Sequence, residues 1–220
     1  MSLKKRPNYQ IFLLPLYHKQ IEEMIRMKAD LTEIIFLLDR SGSMSGLEDD
    51  TIGGFNGFME KQSTFPGEAI VTTVLFDDQY EILWNGIDIR KATLTDKEYY
   101  VRGYTALLDA VGKTILDVGC RLANTKDEER PRKIIFVITT DGMENASQEF
   151  TQGKVKELIM HQQEKYKWEF IFLGANIDAA KEADNIGISQ SDAYSFKASK
   201  AGLQNMYNMV CDEVANKRRK

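Results

Sequence analysis

Two continuous apolar runs, residues 34–38 and 134–138, stand out in the pattern of hydrophobic and polar positions along the chain. An acidic residue follows each run, Asp39 directly after the first and Asp141 shortly after the second. A continuous apolar run bounded by turn residues is typical of a strand buried on both faces of a parallel sheet. Because open α/β sheets bind their ligands at the carboxyl ends of the strands, we expect both acids to lie at that edge.

Helical and extended patterns alternate along the rest of the chain. Extended patterns predict strands at residues 33–38, 69–76, 80–89, 133–140, 169–173 and 193–196. Apolar residues at helical spacing predict helices at residues 47–62, 106–124, 151–166, 179–185 and 199–217. The link between the second and third strands is too short for a parallel crossover, so these two strands form an antiparallel hairpin.

The predicted fold is therefore of the α/β class, with a doubly wound, mostly parallel central sheet, one antiparallel edge hairpin and helices on both faces. The chain of 220 residues is long enough for one core, and we assign residues 29–220 to a single domain. Residues 1–28 form an N-terminal extension, in which a short helix at 18–28 is expected to pack on the domain. Glycines between residues 53 and 57 predict that the first helix lies close to the sheet or is irregular in its first half.

Charge and composition narrow the range of partners and locations. The net charge of −4 and the pI of about 5.4 give no general attraction to nucleic acid, and we expect none to bind. The apolar run at 11–17 is too short for a membrane span and lacks the features of a signal peptide, so we predict a cytoplasmic protein without membrane contact. Cys120 and Cys211 are expected to be free thiols. The basic residues 217–220 are expected to form a solvated helix end.

Three polar segments are expected to meet at the carboxyl edge of the sheet. They are 39–43 (Asp-Arg-Ser-Gly-Ser), 103–105 (Gly-Tyr-Thr) and 140–142 (Thr-Asp-Gly). The carboxylate and the two hydroxyls of the first segment are hard oxygen donors of the kind that a small cation such as Mg²⁺ requires. Each segment alone is a weak signal, since an acid after a strand is often only a turn or cap residue.

Together, and in this order, the three segments resemble the von Willebrand factor A (vWA) domain family. Its metal-ion-dependent adhesion site (MIDAS) combines an Asp-x-Ser-x-Ser motif, a Thr before a helix and an Asp after the next central strand. The resemblance covers about residues 30–217. It implies the strand order 3-2-1-4-5-6, with the first and fourth strands as neighbours and the site between them.

The resemblance also implies a metal site made of five residues of this chain. Ser41, Ser43 and Thr105 would offer hydroxyl oxygens, whereas Asp39 and Asp141 would bind the ion directly or through water. An acidic residue of a partner protein would complete the coordination. Mg²⁺ is the expected ion, with Mn²⁺ or Ca²⁺ as alternatives, because Zn²⁺ would prefer His or Cys ligands.

Four further residues are candidates for the ligand cleft. Tyr104 stands where many family members have Gly, and it either shapes access to the mouth of the site or packs over the loop. Arg40 fills the variable position of the motif and is expected to face solvent or a negative charge of the ligand. Glu144, after Asp141, is expected to line the cleft, as is Asn145.

The pattern favours a binding module over an enzyme. A Mg²⁺-dependent phosphoester hydrolase is the alternative, but the second acid that such enzymes place two residues after the first is Ser41 here. The segment 42–46 resembles a serine hydrolase elbow, but Met44 occupies the position of the nucleophile. A structural subunit that binds no metal is a third hypothesis, and the complete donor set argues against it. We therefore predict a non-catalytic, metal-dependent protein-binding module.

Overall fold

The computed structural model describes residues 31–219, and within that range strands and helices alternate as the sequence predicts. The strands are β1 (Thr32–Asp39), β2 (Ala69–Phe76), β3 (Tyr80–Asp88), β4 (Lys133–Thr140), β5 (Glu169–Ala175) and β6 (Ala193–Phe196). The helices are α1 (Glu48–Thr64), α2 (Leu107–Ala123), α3 (Gln152–Tyr166), α4 (Ala179–Asn185) and α5 (Lys200–Arg219). Every one of these elements was predicted. The helix expected at 18–28, and its packing on the domain, lie outside the described residues.

The six strands form one sheet in the order β3-β2-β1-β4-β5-β6. All neighbouring strands are parallel except β2 and β3, which form the antiparallel edge pair. Both the fold class and the strand order are therefore confirmed. Because β1 and β4 are neighbours at the point where the order reverses, their carboxyl ends open into the same crevice.

Alternate side chains of β1 point into two separate cores, which explains its continuous apolar sequence. Ile34, Phe36 and Leu38 pack with helices α1 and α5 on one face of the sheet. Ile35 and Leu37 pack with α2, α3 and α4 on the other face. Residues 34–38 therefore have no solvent-facing position, and Asp39 is the first polar residue after this apolar run.

Helix α1 contacts its neighbouring helix through Gly54. A Cβ at this position would collide with the ring of Tyr207 in α5, whereas Gly53 and Gly57 face open space. The prediction that the glycines bring α1 against the sheet or make its first half irregular is therefore wrong. The close approach is between two helices that share one face of the sheet.

Side chains at the basic end of α5 pack against the rest of the domain. Lys217 is only 6% exposed, and its Nζ binds Glu169 at 3.0 Å and Asp192 at 2.8 Å. Arg218 donates to the carbonyl oxygen of Gln62 at 2.6 Å. The prediction of a solvated helix end is wrong for these two residues, because their long side chains reach acidic and carbonyl partners next to the sheet.

Cys120 is exposed and Cys211 is buried, and both are free thiols as predicted. None of the helices between residues 31 and 219 has the length and apolar character that a membrane span requires.

Candidate metal site

The ends of β1 and β4 and the start of α2 bring the five predicted ligands together. Ser41 Oγ and Ser43 Oγ are 3.0 Å apart, and the Ser43 hydroxyl donates to Asp141 Oδ1 at 2.6 Å. A Cβ built on Gly142 would lie 2.9 Å from Thr105 Oγ1 and 3.3 Å from Ser43 Oγ. Gly142 therefore allows the loop after β4 to lie against hydroxyls from two other segments.

Asp39 is held in place by two hydrogen bonds, each from a different strand end. Its Oδ1 accepts from the backbone N–H of Ser41 at 2.7 Å, and its Oδ2 accepts from the Thr140 hydroxyl at 2.7 Å. The sequence reasoning missed this role of Thr140. Thr140 precedes Asp141 and is the last residue of β4, the strand beside β1. This position could have indicated a contact with Asp39, which ends β1.

Thr105 is fixed through its backbone. Its N–H donates to Asn145 Oδ1 at 2.9 Å, and its carbonyl accepts from the Asn145 N–H at 3.0 Å. On the other side of the loop, Gly103 adopts a φ of +67°, which favours glycine. A Cβ there would also collide with the Asp78 side chain. Both features place the Thr105 hydroxyl at the N-terminal end of α2.

The two carboxyls of the site are buried. Asp39 is 1% exposed and Asp141 is 9% exposed. Burial raises the pKa of Asp39 to about 6, and burial likewise raises the pKa of Asp141. Neither carboxyl takes part in an ion pair with the described residues. Buried acids without a cation favour binding of an external one, since ionised groups are costly to bury alone.

The donor set fits a small hard cation. It contains two carboxylates and three hydroxyls, and these hard oxygens suit Mg²⁺. No cluster of three or more His, Cys, Asp or Glu side chains within residues 31–219 is arranged to hold a metal. The site thus depends on its hydroxyls as much as on its acids. Ser43 is exposed, so the site opens to solvent on that side.

The sequence matches no family model and no curated protein, but solved structures share its fold. The proximal thread matrix protein 1 (PTMP1) from the mussel byssus is 18% identical with a TM-score of 0.59, over 86% of this chain and 46% of that one. The ArnB paralog VWA2 from Sulfolobus acidocaldarius is 16% identical with a TM-score of 0.50, over 80% of this chain and 44% of that one.

This chain has the vWA fold. The D319A mutant of the PilB minor pilin from Streptococcus sanguinis is also similar, with 12% identity and a TM-score of 0.56 over 84% of this chain and 61% of that one. Another PTMP1 structure, 18% identical with a TM-score of 0.56, has zinc in its MIDAS motif. The chain spans about half the length of PTMP1, 46% in that comparison.

Arg40 does not face the mouth of the site in this vWA fold. It is fully buried, and its Nε and Nη1 bind Asp77 at 3.2 Å and Glu81 at 2.8 Å. The prediction that it faces solvent or a ligand is therefore wrong. Its guanidinium turns away from Asp39 because the β2–β3 hairpin offers two carboxylates.

Tyr104 and Glu144 differ in how they are engaged. Tyr104 is 70% exposed, so its ring is not packed over the loop. Glu144 accepts hydrogen bonds from three backbone N–H groups, those of Leu108, Ala146 and Ser147, at 2.7–2.9 Å. These bonds hold the segment after β4 to the start of α2. A role for Glu144 in lining the ligand cleft stays a prediction.

Proposed function

We propose that this chain is a non-catalytic, metal-dependent protein-binding module with the vWA fold. Asp39, Ser41, Ser43, Thr105 and Asp141 would hold the ion, and an acidic side chain of a partner protein would complete its coordination. The observation that carries the proposal is the pair of buried carboxyls, which accept hydrogen bonds from hydroxyls and form no ion pair within residues 31–219. A divalent cation supplies the missing positive charge.

Mg²⁺ is the ion proposed, with Mn²⁺ or Ca²⁺ as alternatives, because these ions prefer oxygen ligands. When bound, the ion would supply an electrophilic position for a carboxylate. Only two of the five protein donors can carry a negative charge, which leaves the ion able to accept a third acid from outside. The zinc in the MIDAS motif of PTMP1 supports binding of a divalent cation by such a motif.

The rim of the site supports a protein as the partner. Tyr104 directly precedes the proposed ligand Thr105, and Met143 lies two residues after the proposed ligand Asp141. Their side chains are 70% and 69% exposed. Aromatic residues and Met are enriched in protein interfaces relative to the rest of the surface. The acidic net charge of −4 supports neither nucleic acid nor membrane as a partner. The two free thiols support a cytoplasmic location.

No observation favours the phosphoester hydrolase. The position of its second acid is occupied by Ser41, whose N–H donates to Asp39 and whose Oγ contacts Ser43.

The packing of residues 1–28 on the domain is part of the proposal and lies outside the described residues.

Affinity capture from the source cells tests this function. Tagged protein in Mg²⁺ should retain a protein that elutes with EDTA, and the Asp39→Asn variant should fail to retain it. Asp127→Asn is the matched control, since Asp127 is 89% exposed at its side chain and pairs with nearby Arg130, away from the proposed site. A partner bound equally in EDTA, or equally by Asp39→Asn, would contradict the proposal.

A further inference from the structure

A buried arginine lies within the proposed metal-binding motif. Arg40 is fully buried, and it separates Asp39 from Ser41 in the sequence. A buried charge is tolerated only when it is paired and hydrogen-bonded. Its Nε and Nη1 have carboxylate partners, but its Nη2 has no hydrogen-bond partner among the described residues. The side chain is therefore placed by its ion pairs.

Asp77, which follows β2, joins Arg40 to a second arginine. It is also fully buried, and its Oδ2 accepts from Arg40 Nε at 3.2 Å and from Arg102 Nε at 2.5 Å. Its Oδ1 accepts from the backbone N–H of Gln79 at 2.6 Å, so both carboxylate oxygens are used. One acid thus connects the segment after β1, the hairpin turn and the segment before α2.

Backbone hydrogen bonds carry these contacts to the segment that contains Thr105. The Arg102 N–H donates to the Arg40 carbonyl at 2.9 Å, and the Ala106 N–H donates to the Asp77 carbonyl at 2.9 Å. These two bonds lie on either side of Thr105. The ring of Tyr100 lies within 5.6 Å of the Arg40 guanidinium and 5.4 Å of the Arg102 guanidinium, and it covers the pair from one side.

We propose that Arg40, Asp77 and Arg102 form a positioning network that sets the affinity of the metal site without contacting the ion. The network fixes the Thr105 hydroxyl relative to Ser41 and Ser43, which belong to a different loop. Its effect on affinity rests on the proposed function, whereas its effect on the loop does not. Residues that orient metal ligands in this way commonly change metal affinity 10–100-fold when they are replaced.

Arg102 is the residue to replace, because its side chain is 33% exposed and its loss leaves Arg40 and Asp77 paired. Arg102→Ala should weaken Mg²⁺ binding about 10-fold or more by calorimetry. Arg102→Lys should lose less, since an ammonium group can still bind Asp77. In metal-free protein, Arg102→Ala should also reduce the hydrogen-exchange protection of the Ala106 amide, which bonds to Asp77.

Arg130→Ala is the matched control. Arg130 lies between α2 and β4, and its side chain is 40% exposed. It binds Asp127 and the carbonyl oxygen of Leu122. Unchanged Mg²⁺ affinity in Arg102→Ala, or an equal loss in Arg130→Ala, would overturn the network. If the wild-type protein binds no Mg²⁺, the proposed function fails. Hydrogen exchange at the Ala106 amide of metal-free protein then tests the network by itself. Unchanged protection of this amide in Arg102→Ala would overturn the network.

Discussion

Asp39 is the last residue of β1, and Asp77 directly follows the neighbouring strand β2 at the same edge of the sheet. Both side chains are almost completely buried. Asp77 binds two arginines, Arg40 and Arg102. Within the part of the chain that the structure describes, Asp39 accepts only from the Ser41 N–H and the Thr140 hydroxyl, and burial raises its pKa to about 6. Asp77 is thus paired with two cations of the fold, whereas Asp39 is the acid that we propose binds a cation from outside, although Arg40 is adjacent to Asp39 in the sequence.

The largest expected change in the free energy of unfolding comes from replacing Asp77, the acid that is paired with two arginines. Asp77→Ala leaves Arg40 buried without one of its two partners, and breaking a buried ion pair costs about 3–5 kcal/mol. We expect a loss of that size in the free energy of unfolding of metal-free protein, measured in urea. A loss below about 1 kcal/mol would show that the pair is not structurally important. Asp127→Asn, at an exposed site, should change it by less than about 0.5 kcal/mol.

The next effect is stabilisation by the metal. Mg²⁺ at 100 times its dissociation constant should add about 2.7 kcal/mol to the free energy of unfolding of the wild-type protein. Asp39→Asn and Asp141→Asn should each abolish this gain, because each removes one of the two uncompensated charges. Asp127→Asn should keep it. Thermal or urea unfolding in MgCl₂ and in EDTA measures the difference, and a gain retained by Asp39→Asn would place the ion elsewhere.

In metal-free protein, replacing Asp39 is expected to raise the free energy of unfolding, whereas replacing Asp77 lowers it. Asp39→Asn removes a buried charge, so the metal-free protein should become about 1–2 kcal/mol more stable at pH 7. The amide can still accept from the Ser41 N–H and can donate to Thr140, whose hydroxyl also lies 3.2 Å from the Gly142 carbonyl. A variant less stable than the wild type would contradict this account of Asp39.

The same charge predicts a pH dependence. Burial raises the pKa of Asp39 from 3.8 to about 6, so the folded state binds more protons than the unfolded state between these values. The contribution of Asp39 to stability should therefore fall as pH rises through that window and stay level above it. The stability difference between wild type and Asp39→Asn, followed from pH 4 to 7 in EDTA, isolates this contribution. A difference independent of pH would argue against a raised pKa.

The smallest effect on stability is expected at the rim. Tyr104 is 70% exposed, so Tyr104→Ala should change the free energy of unfolding by less than about 0.5 kcal/mol and leave Mg²⁺ binding intact. Retention of the partner in the capture experiment should fall, because this exposed ring directly precedes the proposed ligand Thr105. Full retention would remove Tyr104 from the interface.

The sheet could be predicted from local patterns of apolar residues, whereas the five candidate ligands were implied by the resemblance of three short segments to the vWA family. The runs at 34–38 and 134–138 have no polar alternation, and side chains at the ends of neighbouring parallel strands must meet. The sequence did not predict the pairing of Arg40, since its partners are 37 and 41 positions away. Asp77 carried the same signal as Asp39, an acid directly after an apolar strand. Which of the two acids receives the arginines depends on the register of the hairpin, which the pattern does not specify.

The central claim is that the uncompensated carboxyls of Asp39 and Asp141 hold a divalent cation. Calorimetric titration of metal-free protein with MgCl₂, beside Asp39→Asn and Asp127→Asn, tests it most directly. We predict saturable binding of one ion by the wild type and by Asp127→Asn, and none by Asp39→Asn. Absence of binding heat and of any thermal shift in the wild type at millimolar Mg²⁺, Mn²⁺ and Ca²⁺ would contradict it.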